Sequence, residues 1–235
     1  MYLPEISIPT EEVVEVAGIS ITNTYILVLI LSLGIAALFS LSLRNLRIIP
    51  HKVQNFVEWA LETLFQFTDS ITGSRTKSKE IFPLAATLFF LILSSNLIEL
   101  VPGVGVIHFI RSPSSDLNFT FALAAFAMAY VNIAALCKLG FFSYSKKFFN
   151  FRSPILFFVG ILEGLGEFSR IISLTFRLFG NLFAGEVLLM VISYLFAYVM
   201  PLPFLFLEVL VSFIQAFIFF SLTVIFYHTA TQNEH

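Results

Sequence analysis

From Ile155 to Met200 the chain runs through 46 residues with no proline and no polar loop. As one helix rising about 1.5 Å per residue it would reach about 69 Å, over twice the ~30 Å depth of a bilayer's hydrocarbon core. Such a segment cannot stand upright in a membrane. It either lies strongly tilted, beyond the usual range of about 0–40°, or bends near Gly180 and Gly185. Pro201 and Pro203 close the run, and a further apolar stretch extends from Phe204 to Tyr227. The pattern predicts a long tilted hairpin over 155–227, its arms 155–200 and 204–227 meeting at the prolines.

The rest of the chain belongs to the same setting. Runs at 22–43, 81–101 and 117–137 are each long enough to cross the hydrocarbon core. With 58% hydrophobic and 12% charged residues, the composition excludes an ordinary soluble domain. Between the first two runs, over 51–68, Val53, Phe56, Val57, Ala60, Leu61, Leu64 and Phe65 recur at three- and four-residue spacing, with Lys52, Asn55, Glu58 and Glu62 elsewhere. That spacing reads as an amphipathic helix on the membrane surface. The expected fold is therefore an all-α polytopic membrane protein forming a single membrane domain. It has about five embedded helices, one surface helix and an outer N-terminal segment, 1–21. The single Cys137 excludes an intrachain disulfide and a cysteine-based metal cluster. Residues 1–20 hold four glutamates and no Lys or Arg, so no removable signal is expected there.

Basic residues set an expected orientation. Arg44, Arg47, Lys52, Arg75, Lys77 and Lys79 fall around the first connection, and Lys138, Lys146, Lys147 and Arg152 around the third, against Arg111 alone on the opposite side. Ten against one predicts basic loops in the cytoplasm, an outward amino terminus and a cytoplasmic His235.

Charges at membrane depth cost on the order of 2.5–3.5 kcal/mol each on insertion scales and are functional candidates by default. The hairpin holds Glu163, Glu167, Arg170, Arg177, Glu186 and Glu208. At about 100° per residue, with Arg177 at zero, Ser173 falls near −40°, Arg170 near +20°, and Glu163 and Asn181 near +40°. Glu186 points about 180° away from that stripe. Glu208 and Gln215, seven apart, share a face of the returning helix. One helix thus shows polar groups to two environments, which a simple structural ion pair does not require. Plainer roles compete at several positions. Glu167 and Arg170 have the spacing of a helix-surface pair, and Arg177 has acids nearby with which to brace a bundle. Glu99 beside Pro102 reads as interfacial, and Asp116 as a helix cap.

"SRIISLTFRLFGNLFAGE" together with "LVSFIQAFIFFSLTVIF" resembles subunit a of F-type ATP synthases. "PHKVQNFVEWALE", "NLIELVPG", "SPSSDLNFT", "ILEGLGEFSR" and the closing "NEH" extend the likeness over nearly the whole chain. The resemblance implies a stator that conducts protons past a rotating c ring through two half-channels. The compact acidic start, with no transit peptide, favours a bacterial cytoplasmic membrane. The resemblance also implies that Arg177 faces the ring carboxylate. Asn181, Glu186, Glu208 and Gln215 match the half-channel open to the outer side, and Glu163 and Ser173 the one leading to the cytoplasm. The implied partners are the c-ring subunits, the b subunit of the peripheral stalk, membrane lipid and the translocated H+, with no nucleic acid, metal or cofactor and no covalent chemistry in this chain. The sequence departs from the family in carrying Glu at both 186 and 208, where one carboxylate and one histidine are common. Phe226 beside Tyr227 stands where many relatives have a tyrosine, and no role is carried over to either.

Two other classes remain in view. An ion-coupled secondary transporter or channel also buries Arg and Glu, but transporters usually show paired repeats with broken helices, and no repeat is visible here. An intramembrane hydrolase needs a nucleophile with its base, or a metal. His51, His108, His228 and His235 all fall near or beyond the apolar boundaries, and no H-E-x-x-H occurs.

Overall fold

Asn23–Arg44 forms the first long helix, α1, in a computed structural model that describes residues 12–16, 19–44, 52–100, 112–140, 144, 154–195 and 201–232. The further helices are α2 (Lys52–Thr72), α3 (Arg75–Leu97), α4 (Leu117–Leu139), α5 (Pro154–Leu195) and α6 (Pro201–Ala230). Short 3-10 turns, Ile98–Leu100 and Pro113–Ser115, follow α3 and precede α4. Among the described residues, five helices are long and apolar enough to span a membrane: α1, α3, α4, α5 and α6. The all-α polytopic class is what the apolar runs predicted.

The amino-terminal segment adds one feature. Glu12–Val16 and Ile19–Thr22 pair as an antiparallel ribbon, β1 and β2, in which Val16 faces Ile19. EVVEV and ISIT are short and rich in β-branched residues, which favours strands over helix.

Helix limits differ from the apolar runs where polar residues continue a helix. RTKSKE carries no helix breaker, so α3 starts at Arg75 instead of 81, and α2 runs to Thr72 instead of 68. α2 stops because Gly73 adopts φ +61°, a left-handed conformation open to glycine, and its N–H donates to Asp69 O at 3.0 Å. α6 begins at Pro201 and includes Pro203, since the first helical turn has no use for proline's missing N–H. The prolines thus start the returning helix instead of preceding it. α5 is continuous through Gly180 and Gly185, and its 42 residues reach about 63 Å. Arg47, Arg111, Lys146, Lys147, Arg152 and His235, on which the orientation rests, lie outside the described residues.

The core lies where α3, α4, α5 and α6 meet. Ala85, Phe89 and Ile92 of α3 pack with Ala124 and Ala127 of α4, Leu174, Leu178 and Leu182 of α5, and Phe219 and Phe220 of α6. In lipid, small residues let helices approach closely and gain dispersion contacts, and Ala124 and Ala127 do this in α4, at 0% and 1% exposure. α2 contributes Leu64 to this core and Phe67 to its rim, where Phe67 meets Phe217 at 4.8 Å between ring centroids. The amphipathic stripe of α2 divides accordingly. Val57 and Leu64 turn inward, while Val53, Phe56 and Trp59 stay exposed as a second apolar face. Asp116 caps α4 as expected, accepting from Asn118 N at 2.9 Å.

Candidate functional site

Along α5 two stripes run side by side. Leu174, Leu178 and Leu182 are buried in the core, whereas Ser173, Arg177 and Asn181, each one residue earlier, are exposed. The four-residue spacing holds both stripes in line along the helix. The Arg177 guanidinium reaches one polar partner among the described residues, Ser173 Oγ at 3.5 Å, and forms no ion pair there. The expectation that Arg177 braces the bundle against an acid of this chain finds no support among those residues. Around it the exposed face of α5 is apolar, with Phe168, Ile172, Phe176 and Leu188.

The seam between α5 and α6 gathers the other polar residues. Asn181 Nδ2 donates to Gln215 Oε1 at 2.9 Å. Gln215, Ser212 and Glu208 form the buried polar edge of α6, at 3%, 0% and 5% exposure. Glu208 reaches across to Gly185: a Cβ placed there would lie 2.9 Å from the Glu208 carboxyl carbon and closer still to one oxygen. Any side chain at this position would displace the Glu208 carboxyl. Glu186, the next residue, is half-buried.

Sequence reasoning missed the polar residues that close the Pro201 end of this seam. The turn 98–100 touches α6 and the turn 113–115 touches α5. Glu99 is buried at 8% exposure, not interfacial, because the first turn folds it inward. Nearby, Ser112 Oγ donates to Ser95 O at 2.9 Å. Asn96, Ser95, Ser114 and Ser212 are fully buried, with side-chain polar atoms that meet no hydrogen-bond partner among the described residues. The available signal was the set of polar residues interrupting "NLIELVPG" and "SPSSDLNFT".

At the opposite end, Glu163 precedes Ser173 by ten residues, a rise of about 15 Å, so the two share a helix without meeting. Arg170 forms no ion pair with Glu167 among the described residues; its guanidinium lies over the Phe226 ring, 4.8 Å from the centroid. Beside Phe226, Tyr227 is buried at 1% exposure and joins three helices. Its hydroxyl donates to the Glu80 carboxylate of α3 and accepts from Lys138 Nζ of α4 at 2.8 Å, while Lys138 and Glu80 also form an ion pair. Lys138 is thus tied into the helix bundle. Tyr144, near Glu167, Arg170 and Glu163, donates to Asn132 Oδ1 at 3.0 Å. Burial, then the Glu167 charge, pushes its hydroxyl up to about 12, so it stays a neutral donor.

The arrangement defines a polytopic helical membrane protein with a buried polar seam and, on an apolar face, a cation that has no ion pair among the described residues. The family model for the ATP synthase A chain matches residues 23–228. The chain is 34% identical to an ATP synthase subunit a of Geotalea uraniireducens, over 94% of this chain and 91% of that relative. Subunits a of Moorella thermoacetica and Campylobacter jejuni are 35% and 33% identical, over 87% and 86% of this chain. The chain belongs to the ATP synthase subunit a family. It is a membrane component of that complex, serving ATP synthesis and proton transport.

Proposed function

We propose that this chain is the proton-conducting stator of an F-type ATP synthase, feeding a ring of rotating c subunits through two half-channels separated by Arg177. The observation that carries the reading is the exposed guanidinium on an apolar helix, with no acidic partner among the described residues. An arginine keeps its charge in proteins, and an uncompensated charge at membrane depth is costly. A carboxylate supplied from outside the chain relieves that cost. A c-ring carboxyl passing along this face is then held charged beside Arg177 and gives up its proton.

In this reading Asn181, Glu186, Glu208 and Gln215 form the outer half-path, extended by Ser212, Asn96, Ser95 and Ser114. Buried polar groups of that kind are ordinarily bridged by water, which also carries protons. Glu163 and Ser173 line the inner path to the cytoplasm. A protonated ring carboxyl is neutral and can enter lipid, so the ring turns one way around from path to path. Each charge crossing yields about 2.3 kcal/mol per 100 mV. The chain itself makes and breaks no covalent bond. It sits in a bacterial cytoplasmic membrane, amino terminus outward, beside the b subunit of the stalk; the basic-residue bias and the bacterial relatives support that placement.

Replacing Arg177 by Ala tests the reading. The complex assembles, ATP-driven pumping falls to background, and passive leak rises because the barrier between the half-paths is gone. Arg177→Lys also fails, since a lysine can lose its proton in such a setting. Pumping by Arg177→Ala vesicles at the parental rate overturns the proposal.

A further inference from the structure

Away from the seam, α1, α2 and α3 enclose a cleft of about 510 Å³. Its walls are Ala36 and Phe39 of α1, Leu61 of α2, and Phe82, Ala86 and Phe90 of α3. Along α3 it spans Phe82 to Leu91, a length of about 13 Å. The lining is almost wholly apolar, and hydrocarbon chains fit it. The volume is within the range of about 300–1,000 Å³ that holds small ligands.

Basic residues lie just beyond one end of the cleft. Arg75 and Lys79 lie on the same face of α3 as Phe82, Ala86 and Phe90, at spacings that keep them within about 80° of one another. Phe65 links the Arg75 guanidinium to the cleft wall. Arg75 sits over the Phe65 ring, 5.6 Å from its centroid, and Phe65 meets Phe82 edge to face at 5.0 Å. Both cations are exposed and neither forms an ion pair among the described residues. Glutamates of the same two helices are engaged elsewhere: Glu58 by Gln54 at 2.9 Å, Glu62 by Gln66 at 3.4 Å, and Glu80 by Lys138 and Tyr227.

We infer that this cleft is a binding site for one anionic phospholipid, its acyl chain between α1 and α3 and its phosphate at Arg75 and Lys79. Apolar depth and an unpaired basic end are the two halves of such a ligand. Basic pockets between membrane helices hold acidic headgroups for this reason. A zwitterionic lipid satisfies the groove but gains little from the paired cations. The bound lipid would fill the space between α1 and the bundle, which α1 otherwise contacts sparsely for a helix of its length.

The test uses the intact complex in nanodiscs of equal parts phosphatidylcholine and phosphatidylglycerol, transferred to lipid-free detergent. Native mass spectrometry then counts the lipid retained. The parent keeps phosphatidylglycerol in preference to phosphatidylcholine. R75Q/K79Q, which touches only exposed side chains, loses about 30-fold of that preference, as expected for two basic residues near a headgroup. Ala86→Leu, and separately Ala36→Leu from the opposite wall, lower retention of both lipids by narrowing the groove. An unchanged phosphatidylglycerol preference in R75Q/K79Q overturns the inference. So does unchanged lipid retention in the two groove variants with loss of a stalk subunit, since the cleft is then a seat for a protein helix.

Discussion

Glu208 of α6 lies against the bare backbone of Gly185 in α5, in space that any side chain at that position would occupy. The glycine sets where the carboxyl group sits relative to Glu186, one residue further along. Gly185→Ala must push the Glu208 carboxyl away from α5. Under the proposed outer path, proton pumping in inverted vesicles should fall about ten- to a hundredfold, the order expected for an ångström of misplacement, with the complex assembled at normal yield. Glu208→Asp in the same background withdraws the carboxyl by one methylene and should recover part of the loss. Full activity in Gly185→Ala would remove the need for Glu208 at this location.

Glu186 and Glu208 should act as a coupled pair. The Glu208 carboxyl lies against Gly185, the residue before Glu186. Either change to Gln should slow transport. The double change should cost much less than the sum of the two losses, because one relay cannot be interrupted twice. Strict additivity on a free-energy scale, measured from pumping rates, would point to separate structural roles.

Lys138, Glu80 and Tyr227 should contribute to stability as a unit. Lys138 and Glu80 are partly open, at 31% and 43% side-chain exposure, so their attraction is screened. Lys138→Met should therefore lower stability by only about 1 kcal/mol, the scale of a net hydrogen bond. Lys138→Met with Glu80→Gln should cost little more than Lys138→Met alone. Denaturant-induced loss of helicity in micelles measures both.

Elements whose residues are neighbours in sequence were legible, and contacts that join distant segments were not. The apolar runs set the spanning helices, and four-residue spacing aligned Ser173, Arg177 and Asn181. Burial of Leu174, Leu178 and Leu182 one step away follows from the same periodicity. Glu99 looked interfacial because its burial depends on a 3-10 turn and on its packing against α6. Tyr227 carried no role in the sequence because its partner Glu80 is 147 residues away. Arg170 and Glu167 had the spacing of an ion pair, yet the aromatic face of Phe226 on another helix takes the guanidinium. Gly185 read as a place to bend; its use is to admit Glu208. The β1–β2 ribbon was hidden by a chain whose dominant signal is helical.

Sidedness separates two half-paths from one continuous pore. Glu163 and Ser173 precede Arg177 on α5 by 14 and 4 residues, while Glu186 follows by 9, toward the Pro201 end where Glu208 meets Gly185. Cys137 is exposed and would react with a probe, so the experiment begins from Cys137→Ser. Cysteines at 163 or 173 should then react with a small aqueous thiol reagent added on the cytoplasmic side. Cysteines at 186, 208 or 215 should react from the outer side, although 208 and 215 are buried from bulk solvent, because the proposed path is open to water. Asn181, one turn beyond Arg177 and bonded to Gln215 at 2.9 Å, should mark the inner limit of outer labelling. Equal labelling of both groups from both sides would mean a continuous pore, and Arg177 would then not be the barrier between them.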